Sequence, residues 1–241
     1  MSFSKIRSAL RTLASGQFVV VADDEGRENE GDLIIPASAA TPEKIAFMVR
    51  HTSGLLCVGA RGERLDELEL PLMVPQNSES HQTAFTVSVD YRRGTTTGIS
   101  AADRCATIRA LADRSVGASG FARPGHVFPL RARTEGVLAR PGHTEAACDL
   151  AELAGFPAVG ALAEIVSENG GMARRPELLA FAARHRLEFI TIADLVEYRR
   201  AAASSPATME QPLLTPQHSS PHKEPNDARI RAVSFGMHSA S

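Results

Sequence analysis

Residues 19–35 have the sequence Val19-Val20-Val21-Ala22-Asp23-Asp24-Glu25-Gly26-Arg27-Glu28-Asn29-Glu30-Gly31-Asp32-Leu33-Ile34-Ile35. The two apolar ends are typical of strands, which predicts a loop between two strands. Residues 23–32 hold six carboxylates and one arginine. Carboxylates crowded on one loop repel one another unless a cation is near, and Mg2+ accepts one or two of them as ligands. The segment predicts either a divalent-cation site or a solvated acidic turn.

The tetrapeptide Arg-Pro-Gly-His occurs twice, at Arg123–His126 and at Arg140–His143. We interpret residues 127–131 and 136–138 as the two strands of a hairpin, whose open end would carry both histidines towards one space. The second copy precedes a predicted helix. Its free N–H groups, the helix dipole and Arg140 would together favour a phosphate group. For each histidine, a ring that only bonds a backbone carbonyl is the alternative.

Glu164 lies inside the apolar segment 158–166, which is predicted to be a strand. Burial of a carboxyl group raises its pKa towards the range useful for acid–base chemistry. A carboxylate at a strand end that points to water is the alternative.

The three cysteines, Cys57, Cys105 and Cys148, are far apart in sequence and form no CxxC motif. They predict reduced core thiols rather than disulfides or a structural zinc site.

The composition excludes several classes of function. The formal net charge is −2, and aromatic residues make up 5% of the chain. Neither favours nucleic-acid binding. No apolar run approaches the roughly 20 residues that span a bilayer, and the N-terminus does not resemble a signal peptide. We therefore expect a cytoplasmic protein with no membrane or nucleic-acid partner.

Periodicity predicts interleaved helices and strands, and hence an α/β (α+β mixed) fold in a single globular domain over residues 1–201. The predicted helices cover residues 3–15, 41–49, 100–113, 144–154, 177–186 and 194–200. The predicted strands cover residues 17–22, 33–35, 54–59, 85–90, 127–131, 136–138, 158–166 and 189–192. Residues 202–241 are rich in Pro and Ser, which predicts a disordered tail.

Four segments in this order resemble the 3,4-dihydroxy-2-butanone 4-phosphate synthase family of riboflavin biosynthesis. They are residues 23–32, 97–104, 123–131 and 142–145, and the resemblance extends over most of the first 200 residues. It implies a homodimer whose subunits have a central mixed sheet flanked by helices. It also implies the conversion of D-ribulose 5-phosphate, a sugar phosphate, into L-3,4-dihydroxy-2-butanone 4-phosphate and formate. The implied cofactor is Mg2+ or Mn2+, with one or two ions per subunit.

The resemblance also implies roles for individual residues. The metal ligands would be Glu28 and His143. The essential catalytic residues would be His126 and Glu164. The substrate contacts would be Arg27, Glu28, Asp32, Arg140, Pro141, Gly142, His143 and Thr144.

Other functions would use similar residues. A Mg-dependent sugar-phosphate isomerase or phosphatase needs comparable ligands. Only the lyase releases formate from ribulose 5-phosphate, so formate distinguishes it from these two enzymes. A non-catalytic regulatory or scaffold protein would tolerate the loss of Glu28 and His143. Some relatives are fused to GTP cyclohydrolase II, whose zinc site needs several cysteines. Because no cysteine follows Cys148, we expect that second activity to be absent.

Overall fold

The computed structural model of this protein describes residues 2–204. Its helices are α1 (Ser2–Ala14), α2 (Pro42–His51), α3 (Gly62–Glu67), α4 (Ala101–Ala112), α5 (His143–Leu153), α6 (Arg175–His185) and α7 (Ile192–Ser204). Its strands are β1 (Val19–Ala22), β2 (Gly31–Pro36), β3 (Cys57–Arg61), β4 (Val89–Tyr91), β5 (Phe121–Ala132), β6 (Val159–Glu164) and β7 (Glu188–Thr191). Short 3-10 turns cover Ala37–Ala39, Ala118–Gly120 and Gly136–Leu138.

The strands form one mixed sheet in the order β4-β5-β3-β6-β2-β1-β7. The pairs β1–β7 and β3–β5 are parallel, and the other neighbours are antiparallel. This arrangement confirms the predicted mixed α/β class. It places β2 and β6 side by side in the sheet, with Asp32 opposite Glu164.

Helices cover both faces of the sheet. Alternate residues of β1 belong to different core clusters, since Val19 and Val21 pack in one and Val20 and Ala22 in the other. Buried residues of α1, α5 and α7 belong to the first cluster, and those of α2, α4 and α6 to the second. The period of two along the strand thus separates the two apolar layers.

Local sequence signals explain several helix starts. The Thr41 hydroxyl accepts the Lys44 N–H at 3.4 Å, and Pro42 follows at the first position of α2. The Ser100 hydroxyl accepts the Asp103 N–H at 3.0 Å at the start of α4. Both side chains stabilise their helix starts, because they satisfy N–H groups that lack a partner in the first turn.

The predicted hairpin of residues 127–139 is wrong. Residues Gly136–Leu138 form a 3-10 turn, and β5 runs from Phe121 to Ala132 with β3 on one side and β4 on the other. Both edges of β5 are occupied, so no place remains for a hairpin partner. The Val137 N–H instead donates to the buried Asp149 carboxylate of α5 at 3.0 Å.

Smaller differences also have long-range causes. The predicted strand at 85–90 is regular only as β4, while Phe85 and Thr86 form single bridges to Leu130 and Leu72. The predicted tail begins inside α7, which is helical to Ser204. The rest of that tail lies outside the described residues. Within residues 2–204 no helix has the length and apolar character needed to cross a membrane.

Candidate active site

The acidic loop is folded around Asp23, which follows β1. The Asp23 carboxylate accepts the N–H groups of Glu30 at 2.9 Å and Glu28 at 3.1 Å. It also accepts a bond from the Arg27 guanidinium at 2.9 Å. Asp23 is buried, so its charge is offset by these donors and not by water. The loop is therefore an ordered structure that directs Glu28 inwards, and sequence reasoning missed this role of Asp23.

His143, the first residue of α5, is buried and lies beside that loop. Its Nε2 atom is 3.1 Å from the carbonyl oxygen of Val21. A carbonyl only accepts, so Nε2 carries the proton in this bond. The Nδ1 atom is 3.5 Å from a carboxylate oxygen of Glu28 and 3.9 Å from one of Asp32. Nδ1 is thus the atom that faces the carboxylates.

The titration of this cluster reflects burial and close charges. Burial raises the pKa of Asp32 to about 7, an effect that nearby Glu164 and Glu28 reinforce and His143 opposes. Burial also disfavours the charged form of Glu28, but the hydrogen bond with His143 and the charge of Arg27 outweigh it and lower that pKa to about 2. Burial works against protonated His143, yet the charge of Asp32 and the Glu28 bond raise its pKa to about 9.

The geometry fits a cation. Asp23, Glu28 and His143 each offer a ligand atom, and these atoms lie within 4.8 Å of one another. Asp23 already accepts three bonds, which leaves Glu28 and His143 for an ion. The Oδ1 atom of Asp32 is buried without a hydrogen-bond partner beside them. A ligating histidine typically donates its other ring N–H to a backbone carbonyl, as His143 does to Val21.

A cavity of about 410 Å3 opens at this cluster. Most of the residues predicted to contact the substrate line it, whereas Pro141, Gly142 and His126 are not among the lining residues. The lining residues are Arg27, Glu28, Glu30, Asp32, Cys57, His81, Thr83, Phe85, Leu130, Arg140, His143, Thr144, Leu162, Ala163 and Glu164.

Glu164 ends β6 and is only partly buried. Its Oε2 atom accepts a bond from the Ser53 hydroxyl at 2.6 Å, and its carbonyl accepts the Ser53 N–H at 2.8 Å. The strand-end position matches the alternative that sequence analysis left open. The side chain nevertheless lines the cavity, one strand away from Asp32.

Arg140 also lines this cavity, and two parts of the chain hold its side chain. It donates to the Glu145 carboxylate of α5 at 2.8 Å. It also donates to the His81 carbonyl at 3.0 Å and to the Thr83 hydroxyl at 3.3 Å. Sequence reasoning missed His81 and Thr83, which line the cavity, because residues 77–83 carry no motif.

Residues 77–83 form a compact turn around Glu79. Its carboxylate accepts the N–H groups of His81 at 2.7 Å and Thr83 at 2.8 Å. Despite some burial, these bonds lower the pKa of Glu79 to about 2. The Asn77 side chain adds a bond to the Thr83 carbonyl at 2.9 Å. The turn is therefore a defined wall of the cavity.

His126 lies elsewhere, within β5 and not at a strand start as predicted. Its Nδ1 atom is 2.7 Å from the Asp90 carboxylate, and its side chain is 42% exposed. The two Arg-Pro-Gly-His copies therefore do not share a hairpin end in one subunit. The structure brings Glu28, Asp32, Arg140, His143 and Glu164 together, and it leaves His126 outside their cavity.

Known proteins resemble this chain over most of its length. The family profile of 3,4-dihydroxy-2-butanone 4-phosphate synthase matches residues 7–198. The Agrobacterium fabrum protein of that name is 57% identical over 199 residues, which cover 82% of this chain and 93% of that protein. The riboflavin biosynthesis protein RibBA of Nocardia farcinica is 56% identical over 200 residues, which cover 82% of this chain and 48% of that protein. The chain thus spans about half the length of this second relative.

A solved structure has the same fold. It is a 3,4-dihydroxy-2-butanone 4-phosphate synthase in complex with two magnesium ions, with a TM-score of 0.80 and 47% sequence identity. The match covers 82% of this chain and 97% of that one. Together with the family profile over residues 7–198 and the arrangement of the cavity, these similarities show that the chain belongs to the 3,4-dihydroxy-2-butanone 4-phosphate synthase family of riboflavin biosynthesis enzymes.

Proposed function

We propose that this protein converts D-ribulose 5-phosphate into L-3,4-dihydroxy-2-butanone 4-phosphate and formate, with Mg2+ or Mn2+ as cofactor. The observation that carries the proposal is one cavity that holds a carboxylate–imidazole pair and a fixed arginine. The Nδ1 atom of His143 lies 3.5 Å from a carboxylate oxygen of Glu28, and Arg140 lines the same cavity. A phosphorylated ketose carries oxygen atoms that a metal ion can bind and a phosphate group that an arginine can bind.

Glu28 and the Nδ1 atom of His143 would bind the metal, and each subunit would hold one or two ions. The magnesium complex of the similar synthase supports this cofactor. When bound, Mg2+ or Mn2+ acts as a Lewis acid on the ketose oxygens and lowers the cost of negative charge that develops there. The Val21 carbonyl holds the His143 ring in place for this role.

The start of α5 would hold the phosphate. Gly142 has extended backbone and makes no side-chain cap bond, so N–H groups of the first turn are available to an anion. The residues we assign to this contact are Arg140, Pro141, Gly142, His143 and Thr144. Arg27, Glu28 and Asp32 would bind the sugar hydroxyls from the acidic loop and β2.

Proton transfers need groups that can hold a proton at defined atoms. Glu164 is fixed through Oε2 by Ser53, so we assign proton transfer to its Oε1 atom. His126 is the second residue that we assign to catalysis. It does not line the cavity of its own subunit, so within one subunit it would not contact a substrate bound there.

We propose a homodimer in which His126 of the partner subunit completes each cavity. Large apolar side chains are exposed near both regions: Leu72, Met73 and Val74 precede the cavity wall at residues 77–83, and Ile99 follows the Gly98 that packs on His126. Exposed apolar groups of this kind mark interaction surfaces. The cytoplasmic location stays a prediction from the sequence.

The test is incubation of the purified protein with ribulose 5-phosphate and Mg2+, followed by detection of formate. We expect stoichiometric formate and the four-carbon phosphate, and no formate after EDTA. An aldose phosphate as the product would instead support an isomerase, and free phosphate would support a phosphatase. If the purified, Mg2+-loaded protein left ribulose 5-phosphate unconverted, this result would contradict the proposal.

A further inference from the structure

We propose that Asp90 is a positioning residue for His126: it fixes the ring and its tautomer so that Nε2 is the atom offered to the substrate. This inference rests on the proposed catalytic role of His126. It concerns a residue to which neither the sequence motifs nor the family resemblance assigned a role.

The backbone around His126 departs from regular strand geometry. Along the pair β4–β5, Val89 is opposite Val127, but the next residue, Asp90, is opposite Ala122. The tetrapeptide Arg123–His126 therefore forms a bulge in β5. Bulges redirect side chains and occur frequently next to active sites. Here the bulge turns the first Arg-Pro-Gly-His copy out of the ladder.

The Asp90 carboxylate binds this bulge with both oxygens. Oδ1 accepts the backbone N–H of His126 at 2.9 Å, and Oδ2 is 2.7 Å from the ring Nδ1. An ionised carboxylate only accepts, so Nδ1 carries the proton in this pair. The unprotonated atom of the neutral ring is then Nε2. This tautomer is the one that can take a proton at Nε2.

The backbone next to His126 leaves room for the Asp90–His126 pair and for little else. Gly98 has φ +93°, and a Cβ atom there would overlap Oδ2 of Asp90 and lie 2.7 Å from Nδ1 of His126. A Cβ on Gly125 would overlap the Val89 backbone. The Gly125 N–H donates to the Ser88 hydroxyl at 3.1 Å. Two close backbone approaches thus hold the carboxylate and the ring together.

Exposure separates the two partners. The Asp90 side chain is 14% exposed, whereas that of His126 is 42% exposed. The carboxylate is therefore largely shielded from water, while the imidazole side chain is accessible. A salt bridge that served stability alone would gain little from an exposed ring, but an accessible ring whose Nδ1 is held by Asp90 suits a group that offers Nε2 to a substrate.

The experiment uses Asp90→Asn, Asp90→Glu and, as a control for the bulge, Ser88→Ala, all in the full chain. The tautomer of His126 is read from 15N-edited NMR spectra of histidine-labelled protein, assigned with His126→Ala. We expect the form protonated at Nδ1 in the wild type and in Ser88→Ala. We expect a mixture of tautomers in Asp90→Asn, because its amide cannot accept both bonds. An unchanged tautomer in Asp90→Asn would overturn the proposal.

Kinetics provide the second measurement. We expect Asp90→Asn to lower kcat about 100-fold, with KM changed less than about twofold, because only proton transfer is affected. Asp90→Glu should recover at least a tenth of wild-type kcat. Equal losses in Asp90→Asn and Asp90→Glu, at unchanged melting temperature, would contradict a positioning role. If Asp90→Asn does not fold, the tautomer in Asp90→Glu decides: a ring no longer protonated at Nδ1, with full kcat, overturns the proposal.

The same variants separate this inference from the proposed function. If His126→Ala keeps normal turnover while Asp90 still sets the tautomer, the catalytic assignment of His126 fails, and with it the positioning role. If His126→Ala is inactive but Asp90→Asn keeps both the tautomer and the turnover, the inference on Asp90 fails alone.

Discussion

Gly59 of β3 lies so close to the start of α5 that a Cβ atom on Gly59 would be 2.7 Å from the carbonyl oxygen of Thr144. Real Cβ atoms do not approach backbone oxygen so closely, so Gly59→Ala must move the first turn of α5. That turn carries His143 and the proposed phosphate contacts. We expect turnover to fall about tenfold or more, since small displacements of positioning groups are costly. Gly117→Ala, where a Cβ meets nothing within 4 Å, is the matched control; equal turnover in both variants would contradict this.

Turnover should depend on a divalent cation held by Glu28 and His143. Rigorous removal of metal with EDTA should abolish formate release, and added Mg2+ should restore it. Glu28→Gln or His143→Ala should lower kcat by at least about 100-fold, because each removes a ligand of the Lewis acid. The measurement is formate release against Mg2+ concentration. Full activity of metal-free protein would exclude the assignment.

The two histidines of the repeated tetrapeptide should not be interchangeable. His126→Ala should keep nearly normal affinity for Mg2+ and ribulose 5-phosphate while kcat collapses, because it loses only a group used in the transition state. His143→Ala should weaken Mg2+ binding itself, and high Mg2+ should recover part of its activity. Calorimetric titration of both variants tests this division. Equal losses of metal affinity would show that both histidines bind the ion.

The thiols of Cys105 and Cys148 should be dispensable for the reaction. Both are buried, and burial raises the pKa of each thiol, which disfavours the reactive thiolate. The serine variants should keep near-normal kcat at 25 °C, with a loss of stability of about 1–3 kcal/mol from burying a hydroxyl group. Cys57 lines the cavity, so Cys57→Ser is the contrasting variant. Loss of turnover in Cys105→Ser would contradict its assignment to the core.

Removal of the buried carboxylate of Asp149 should weaken the fold. It is fully buried, binds the Arg61 guanidinium at 2.6 Å and accepts the Val137 N–H at 3.0 Å. Asp149→Ala leaves the Val137 N–H unpaired and removes the buried carboxylate partner of Arg61, so we expect the free energy of unfolding to fall by about 3–5 kcal/mol. The control is Glu152→Ala, since Glu152 is 55% exposed on the same arginine and should cost less than about 1 kcal/mol. Urea unfolding measures both, and similar losses would refute the expectation.

Local sequence signals predicted those parts of the site whose structure depends on a single short segment of the chain. Two examples are the acidic loop between apolar strands and the start of a helix near His143. The structure confirms the loop between β1 and β2 and the helix α5. The pair Glu28 and His143 is brought together by the sheet, as the family resemblance implied. The resemblance supplied this pairing, because no pattern within either segment specifies the other.

The errors arose where distant contacts decide. Val137 and Leu138 look like a strand, but the buried carboxylate of Asp149 holds them in a 3-10 turn. His81 and Thr83 carry no motif, yet they line the cavity and accept bonds from Arg140. Asp90 meets His126 only because β5 bulges. Periodicity reports burial along one element, and it does not report which distant side chain lies across from it.

The strand order also has a consequence for synthesis. The hairpin β1–β2 is made first, yet its two neighbours in the sheet, β6 and β7, come from residues 159–191. Both edges of that hairpin therefore stay open while most of the chain leaves the ribosome, and open apolar edges invite pairing with other chains. The six carboxylates of residues 23–32 lie on this unfinished hairpin. We expect their mutual repulsion to keep nascent chains apart until β7 closes the sheet.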